Sequence, residues 1–312
     1  EAVLYHKIQY DRLAAFSCQD PEIPALINLA NRVENMLQLG GIDYGQLAKG
    51  AGTQISPWCF QLLQQADNIY NIAENINNSQ YKLTLRELLA NAALSEVELR
   101  QYIELLAYFI ELRSSATIKH TFFTVFLSIE IAYQLNLSLD DIEKIYYGAM
   151  LHDIGKIAIP LSVLEKRGTL TEEEKTIMRT HVDITDKILQ NNIDPEVYQL
   201  AIRHHEKLNG MGYPAGLTAD ELTQNQRIIV FADMLSALQE ERSYKARFDK
   251  RRVLSILRAA MQGGDICPDI FKVVESQYDV ICMRAMDQYK EFMVRNRMIQ
   301  LEFKQLYKKI CT

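Results

Sequence analysis

The sequence predicts an all-α protein, and three observations carry that reading. Helix-start signals recur along the chain, apolar residues return at spacings of three and four, and strand-like alternation is nearly absent. Starts of the Ser/Thr-x-x-Glu/Asp kind stand at Thr84 with Glu87, Ser95 with Glu98, Ser138 with Asp141, and Thr171 with Glu174, each ahead of an apolar periodic run. Ser56 before Pro57 is a further expected start, because proline suits the first helical position, where no amide hydrogen is needed.

Taken in order, residues 1–98 read as a separate helical module. Its segments "PALINLANRVENMLQL" and "PWCFQLLQQADNIYNIAENIN" are helix-like, and the Asn/Gln-rich second one reads as a solvated face. Between them, "GGIDYGQLAKGAG" holds five of the 13 glycines and is expected to be a flexible loop. Nothing in the module has the spacing of a ligand or catalytic site. Packing or dimerisation is its expected role, with a regulatory sensor as the alternative. Residues 99–312 read as a second domain ending in a helical extension from about Phe271. There Phe271, Val274, Tyr278, Ile281 and Ala285 form a stripe that suits either a core face or the seam of a homodimer.

Composition limits the function classes. A chain of 312 residues, 48% hydrophobic and 24% charged, suits about two soluble globular domains. Its net charge of -6 argues against a nucleic-acid polymer as partner, since phosphate backbones demand a basic face. No apolar run approaches the ~18 residues of a membrane span. The start "EAVLYHKIQYDRL" has no signal-peptide pattern and lacks Met, so residues upstream, an anchor included, are left open. Cys18, Cys59, Cys267, Cys282 and Cys311 form no CxxC pair and read as free thiols of a reducing cytoplasm.

The chemistry lies in the histidines. Of six, only His6 stands apart; His120, His152, His181, His204 and His205 follow within one stretch, with Asp153 adjoining His152 and Asp233 downstream. His120 shares a helical face with Phe123, Thr124, Leu127 and Ile131, so its imidazole points inward and needs a partner. "YYGAMLHDIGKIAIP" carries an apolar helix into His152-Asp153, after which Gly155 and Pro160 end or bend it. "RHHEKLNGMGYPAG" sets His204-His205 ahead of a turn built from glycine and proline, and "RIIVFADMLSAL" brings Asp233 up on an apolar helix, where a lone carboxylate is costly. Imidazoles with carboxylates and no thiolates suit a pair of Fe, Mn or Zn ions and argue against a Cys-rich structural zinc site.

With these residues in view, the chain resembles the HD-GYP phosphodiesterases of the HD superfamily. The resemblance runs from about residue 117 to 245 through "HDIGKIAIP", "LEKRGTLTEEE", "THVDITDKIL", "HHEKLNGMGYP", "RIIVFAD" and "ERSYK", in that order. It implies an HD-domain helical bundle whose metal centre hydrolyses cyclic di-GMP, or a related cyclic dinucleotide, to linear pGpG, with a further step to GMP left open. Carried over residue by residue, His120, His152, Asp153 and Asp233 would hold one ion, and His181, His204 and His205 the second, with Asp153 bridging. A hydroxide shared by the two ions would then attack phosphorus. Lys156 is similar to the family lysine that contacts substrate phosphate, and Arg242 and Lys245 match its downstream basic pair. Tyr213, in the Gly-Tyr-Pro turn, would stack on a base or dock a partner such as a GGDEF protein.

Departures from the family pattern are Ile118 for a glycine, Asn209 for an acid and Ser236 for an aspartate. They motivate a second reading, a slow or inactive cyclic-dinucleotide receptor. A third, a di-iron oxygenase, is opposed by the cationic set Lys156, Arg242 and Lys245. Some family members bind a third ion through a glutamate four residues before the first histidine. That position is Ala116 here, and Glu111 lies half a helical turn round, so two ions are expected.

Overall fold

The computed structural model describes residues 5–13, 15, 20–78, 81, 95–111, 117–166, 168–239 and 248–311. Among these, helices are the regular elements, and two isolated bridges, Ala51–Ile55 and Asn209–Thr218, add no strand. The α-helices are α1 (Tyr10–Leu13), α2 (Glu22–Gln38), α3 (Tyr44–Gly50), α4 (Pro57–Tyr70), α5 (Ile72–Asn77), α6 (Glu96–Glu111), α7 (Thr117–Gln134), α8 (Leu139–Leu151), α9 (Leu161–Leu164), α10 (Glu172–Leu189), α11 (Pro195–Ile202), α12 (Gln224–Gln239), α13 (Lys250–Gln262) and α14 (Pro268–Cys311). The chain divides into two compact units, Glu1–Ala93 with Arg295–Thr312, and Leu94–Val294.

In the first unit α4 starts as expected, with Ser56 accepting the Cys59 amide at 3.4 Å and Pro57 at the first turn. The glycine-rich segment differs from its expected form as a flexible loop. It contains α3, started by Asp43, whose carboxylate accepts the Gln46 amide at 2.9 Å. Leu47 of α3 is buried in a small core with Leu13, Leu29, Val33, Ile55 and Cys59. The flanking Gly40, Gly41 and Gly52 take φ of 119°, 149° and 89°, a region that side chains disfavour, so these glycines set the ends of a helix. The Asn/Gln-rich segment from Pro57 to Asn77 is two helices, broken where Asn71 turns left-handed at φ 47°.

In the second unit the expected caps form. Ser95 and Glu98 exchange bonds of 2.9 and 3.3 Å, Ser138 accepts the Asp141 amide at 3.1 Å, and Thr171 and Glu174 close a reciprocal pair at 2.7 and 3.2 Å. Each cap satisfies amides that the first helical turn leaves open, worth about 1 kcal/mol. Thr84 and Glu87 lie outside the described residues.

The core of this unit places α7 against α8 and α12. Phe122, Phe123, Leu127 and Ile131 of α7, Ile145 and Ala149 of α8, and Ile228, Ile229, Phe231 and Leu235 of α12 are all buried in it. Each large side chain stabilises the fold by roughly 1.5–3 kcal/mol relative to exposure. Phe271, Val274, Tyr278, Ile281 and Ala285 of α14 join the same core, none more than 7% exposed. The stripe is therefore an internal face, and the dimer seam considered for it is not available there. Cys59, Cys267 and Cys282 are buried cysteines. No described helix is long and apolar enough to cross a membrane.

Candidate metal centre

Five elements deliver the histidines and acids. His120 stands in the first turns of α7, His181 in mid-α10 and Asp233 in mid-α12. Both doublets sit where a helix stops: His152 caps the C-terminus of α8, with Asp153 just beyond it, and His204-His205 follow the last turn of α11. Two negative helix ends are thereby aimed at one place, which favours a cation.

The rings are oriented by their own backbones. Nδ1 of His152 lies 2.7 Å from the Ala149 carbonyl, Nδ1 of His181 2.6 Å from Met178, and Nδ1 of His204 2.7 Å from Ala201. A carbonyl only accepts, so Nδ1 carries a proton in each, and in the neutral ring Nε2 presents a lone pair to the centre.

Asp153 divides those lone pairs. Its Oδ2 is 3.1 Å from His152 Nε2 and 3.9 Å from His120 Nε2, while its Oδ1 is 3.4 Å from His181 Nε2 and 3.9 Å from His204 Nε2. Asp233 Oδ1 approaches His120 Nε2 at 2.9 Å, and its Oδ2 is 3.7 Å from His205 Nδ1. Two groups emerge with ligand atoms within 4.8 Å of one another: His120, His152 and Asp153, and His181, His204 and His205. The seven residues singled out in the sequence thus surround one point, with Asp153 between the two groups.

These residues fit divalent ions on evidence of their own. His152 Nε2 and Asp153 Oδ1 are fully buried with no hydrogen-bond partner among the described residues. A buried acceptor without a donor costs about 1–3 kcal/mol. His181 and His204 compound the problem by facing Nε2 to Nε2 at 3.3 Å. A cation between such lone pairs removes both penalties, and nitrogen with carboxylate oxygen is the donor set of borderline divalent metals.

Electrostatics agree. Burial pushes His181 and His204 below the ordinary imidazole range, and pushes His205 down to about 4. All three are neutral at neutral pH, as a metal ligand has to be. Burial alone would raise Asp153, but the charges of His152 and Lys156 hold it well below the usual carboxylate range; for Asp233 the opposing bond comes from His120. Burial opposes a proton on His152, yet Asp153 outweighs it and raises that group to about 9.

Close packing keeps the geometry. A Cβ on Gly155 would stand 1.9 Å from the His181 carbonyl oxygen, so only glycine lets the turn after Asp153 reach α10. The Gly155 amide donates to Thr185 Oγ1 at 3.0 Å, and that hydroxyl donates to the His152 carbonyl at 3.3 Å. Thr185 was not singled out by the sequence, because its bonds span some thirty residues that no periodicity links.

Lys156 is partly buried and its ammonium is bonded to Asp153. The Tyr213 ring lies 4.7 Å from that of His205, with the Arg179 guanidinium 5.2 Å from its centroid. Glu206, fully buried, accepts the amides of Ala215 at 2.7 Å and Leu217 at 2.9 Å and so shapes the Gly-Tyr-Pro turn. Asn209 donates to the Gly263 carbonyl at 2.8 Å and to Asp265 at 2.9 Å, which a carboxylate there could not do. The departure at 209 therefore suits its surroundings. Arg179 and Glu206 escaped the sequence reading, since their partners are set by the fold. Arg242, Lys245 and Ala116 lie outside the described residues, as does the side chain of Ile118.

A helical domain that gathers five imidazoles and two carboxylates in this way defines a class of metal-binding helical domains. The chain belongs to the HD domain family, whose model matches residues 104–265. It is similar to 3'3'-cGAMP-specific phosphodiesterase 1 of Vibrio cholerae, 26% identical over 88% of this chain and 68% of that protein. It is also similar to the cyclic di-GMP phosphodiesterase response regulator RpfG of Xanthomonas campestris, 35% identical over 71% of this chain and 58% of that protein. The chain therefore spans only part of the length of these relatives. Among solved structures, a cyclic GMP-AMP specific phosphodiesterase of V. cholerae matches with a TM-score of 0.53 at 21% identity, over 89% of this chain and 66% of the other, which shows the shared fold.

Proposed function

We propose that the chain is a metal-dependent phosphodiesterase that hydrolyses a cyclic dinucleotide, cyclic di-GMP or a close relative. The observation that carries this reading is the double triad: two sets of imidazole lone pairs meet on the two oxygens of one buried carboxylate, Asp153. The names of the relatives, specific for cyclic di-GMP in some and 3'3'-cGAMP in others, support the substrate class.

In this proposal His120, His152, Asp153 and Asp233 hold one divalent ion and His181, His204 and His205 the other, with iron or manganese favoured over zinc. Such ions, when bound, make water available as hydroxide near neutral pH and neutralise charge at phosphorus. The protein's part is to hold that pair apart from solvent and to supply a cation beside it. Lys156 is assigned to a non-bridging phosphate oxygen, Arg242 and Lys245 to the remaining phosphate charge, and Tyr213 to the rim where a base lies or a GGDEF partner docks. Residues 1–98 are assigned a regulatory or packing role beside a catalytic domain of residues 99–312.

Chromatography of the products formed from cyclic di-GMP and 3'3'-cGAMP by anaerobically prepared Fe(II) and Mn(II) protein tests this directly. Linear dinucleotide at catalytic turnover is the expected result. Stoichiometric binding without turnover would instead make the chain a receptor. Near two metal ions per chain are expected by elemental analysis, given Ala116 in place of a third site's acid.

A further inference from the structure

The deeply buried histidines of the centre have Nδ1 tied to carbonyls three residues back in their own chain segment. His120 is held differently. Its Nδ1 lies 3.3 Å from Ser236 Oγ, and that same hydroxyl lies 3.2 Å from the His120 carbonyl oxygen. Ser236 is 1% exposed and stands on α12 three residues after Asp233, whose Oδ1 is 2.9 Å from the opposite ring nitrogen. One helix thus grips both ends of an imidazole that belongs to another.

A hydroxyl has one proton to donate and two lone pairs. The carbonyl beside it accepts that proton, which leaves Oγ as the acceptor for Nδ1–H. In the ion-free protein Nε2 lies 2.9 Å from Asp233 Oδ1 and shares a proton with it; once a cation takes that proton's place, the Ser236 acceptor holds the ring's remaining proton on Nδ1 and Nε2 stays bare for the ion. In the opposite arrangement the hydroxyl donates to Nδ1, Nε2 carries the proton, and the His120 carbonyl loses its side-chain donor. Serine also does this without adding a third carboxylate to a centre that already buries Asp153 and Asp233.

We infer that Ser236 is a positioning residue that sets the ring plane and the Nε2-bare tautomer of His120 for the first ion, touching neither ion nor substrate. The inference rests on the metal reading of the site and is independent of which dinucleotide is hydrolysed.

The test compares the metal-stripped full chain with its Ser236→Ala and Ser236→Thr variants by titration with Mn(II), reading free aquo-Mn(II) by electron paramagnetic resonance. Ser236→Ala should weaken one of the two ions by roughly 10–100-fold, the usual cost of removing a group that orients a metal-ligating histidine. The second ion serves as an internal control and should keep its affinity, and Ser236→Thr, which retains the hydroxyl, should match wild type. Wild-type affinity for both ions in Ser236→Ala overturns the inference. So does equal weakening of both ions, which would mean a general loosening of the fold, and so does equal weakening of one ion by both variants, which would make volume and not the hydroxyl responsible. A wild-type chain that takes up no Mn(II) is a separate outcome that removes the metal reading itself and this inference with it.

Discussion

His181 and His204 present Nε2 to Nε2 at 3.3 Å, with the Nδ1 of each committed to a backbone carbonyl. Neither nitrogen has a proton to offer the other, so the contact is repulsive until a cation enters. Mn(II) at a hundred times its dissociation constant should therefore raise the unfolding free energy by about 2.7 kcal/mol for each ion bound. His181→Ala should lose one bound ion and its share of that stabilisation, and should abolish turnover while circular dichroism keeps its helical form. Full activity in the variant would eliminate the two-ion proposal.

Lys156 lies against Asp153, the carboxylate shared by both groups, and is only partly buried. If its ammonium serves substrate phosphate, Lys156→Ala should lower turnover by about 10²-fold or more, as removal of other preorganised donors does. Metal content, measured by elemental analysis, should not change. Loss of metal in place of turnover would make Lys156 a structural partner of Asp153 alone.

Gly155→Ala tests the close approach of the turn after Asp153 to α10. The added carbon would stand 1.9 Å from the His181 carbonyl oxygen and 2.7 Å from the Thr185 amide nitrogen. Overpacking of this kind costs typically 1–3 kcal/mol, and here it also pushes His181 away from Asp153. Thermal denaturation and Mn(II) uptake should fall together, and a variant that keeps both would contradict the packing described.

The ion-free protein should be sensitive to acid. His181, His204 and His205 have folded-state values below the ordinary 6.5, His205 at about 4, so between these limits the unfolded chain binds more protons than the folded one. Unfolding free energy must then drop as pH falls through that window, by up to about 1.4 kcal/mol per pH unit for each fully buried imidazole. His152 has the opposite sign: raised to about 9, it contributes stability that is complete below 6.5 and lost as pH climbs toward 9. His152 binds its proton in both states below 6.5 and adds no slope there, so urea midpoints of chelated protein should decline from pH 6.5 to 4.5. A flat profile would show that these imidazoles are not held neutral.

Much of this protein is written locally. The starts at Ser56, Ser95, Ser138 and Thr171 form because a cap needs only residues three apart, and the chain carries those residues wherever it turns. The clustering of imidazoles and carboxylates is likewise a matter of residue type, legible before any fold is known. Other features exist only across the fold. Asp43 starts a helix inside a run of glycines because Leu47 has a core to enter, which no count of glycines reveals. The α14 stripe is an internal face and not a seam because α7 and α12 already present the surfaces it covers. Which oxygen of Asp153 meets which histidine, why glycine alone serves at 155, and why Ser236 stands behind His120 all depend on contacts between residues some thirty to more than a hundred positions apart. Periodicity encodes the face that a helix buries, but the partner of that face and the register between them are decided by close packing of whole helices.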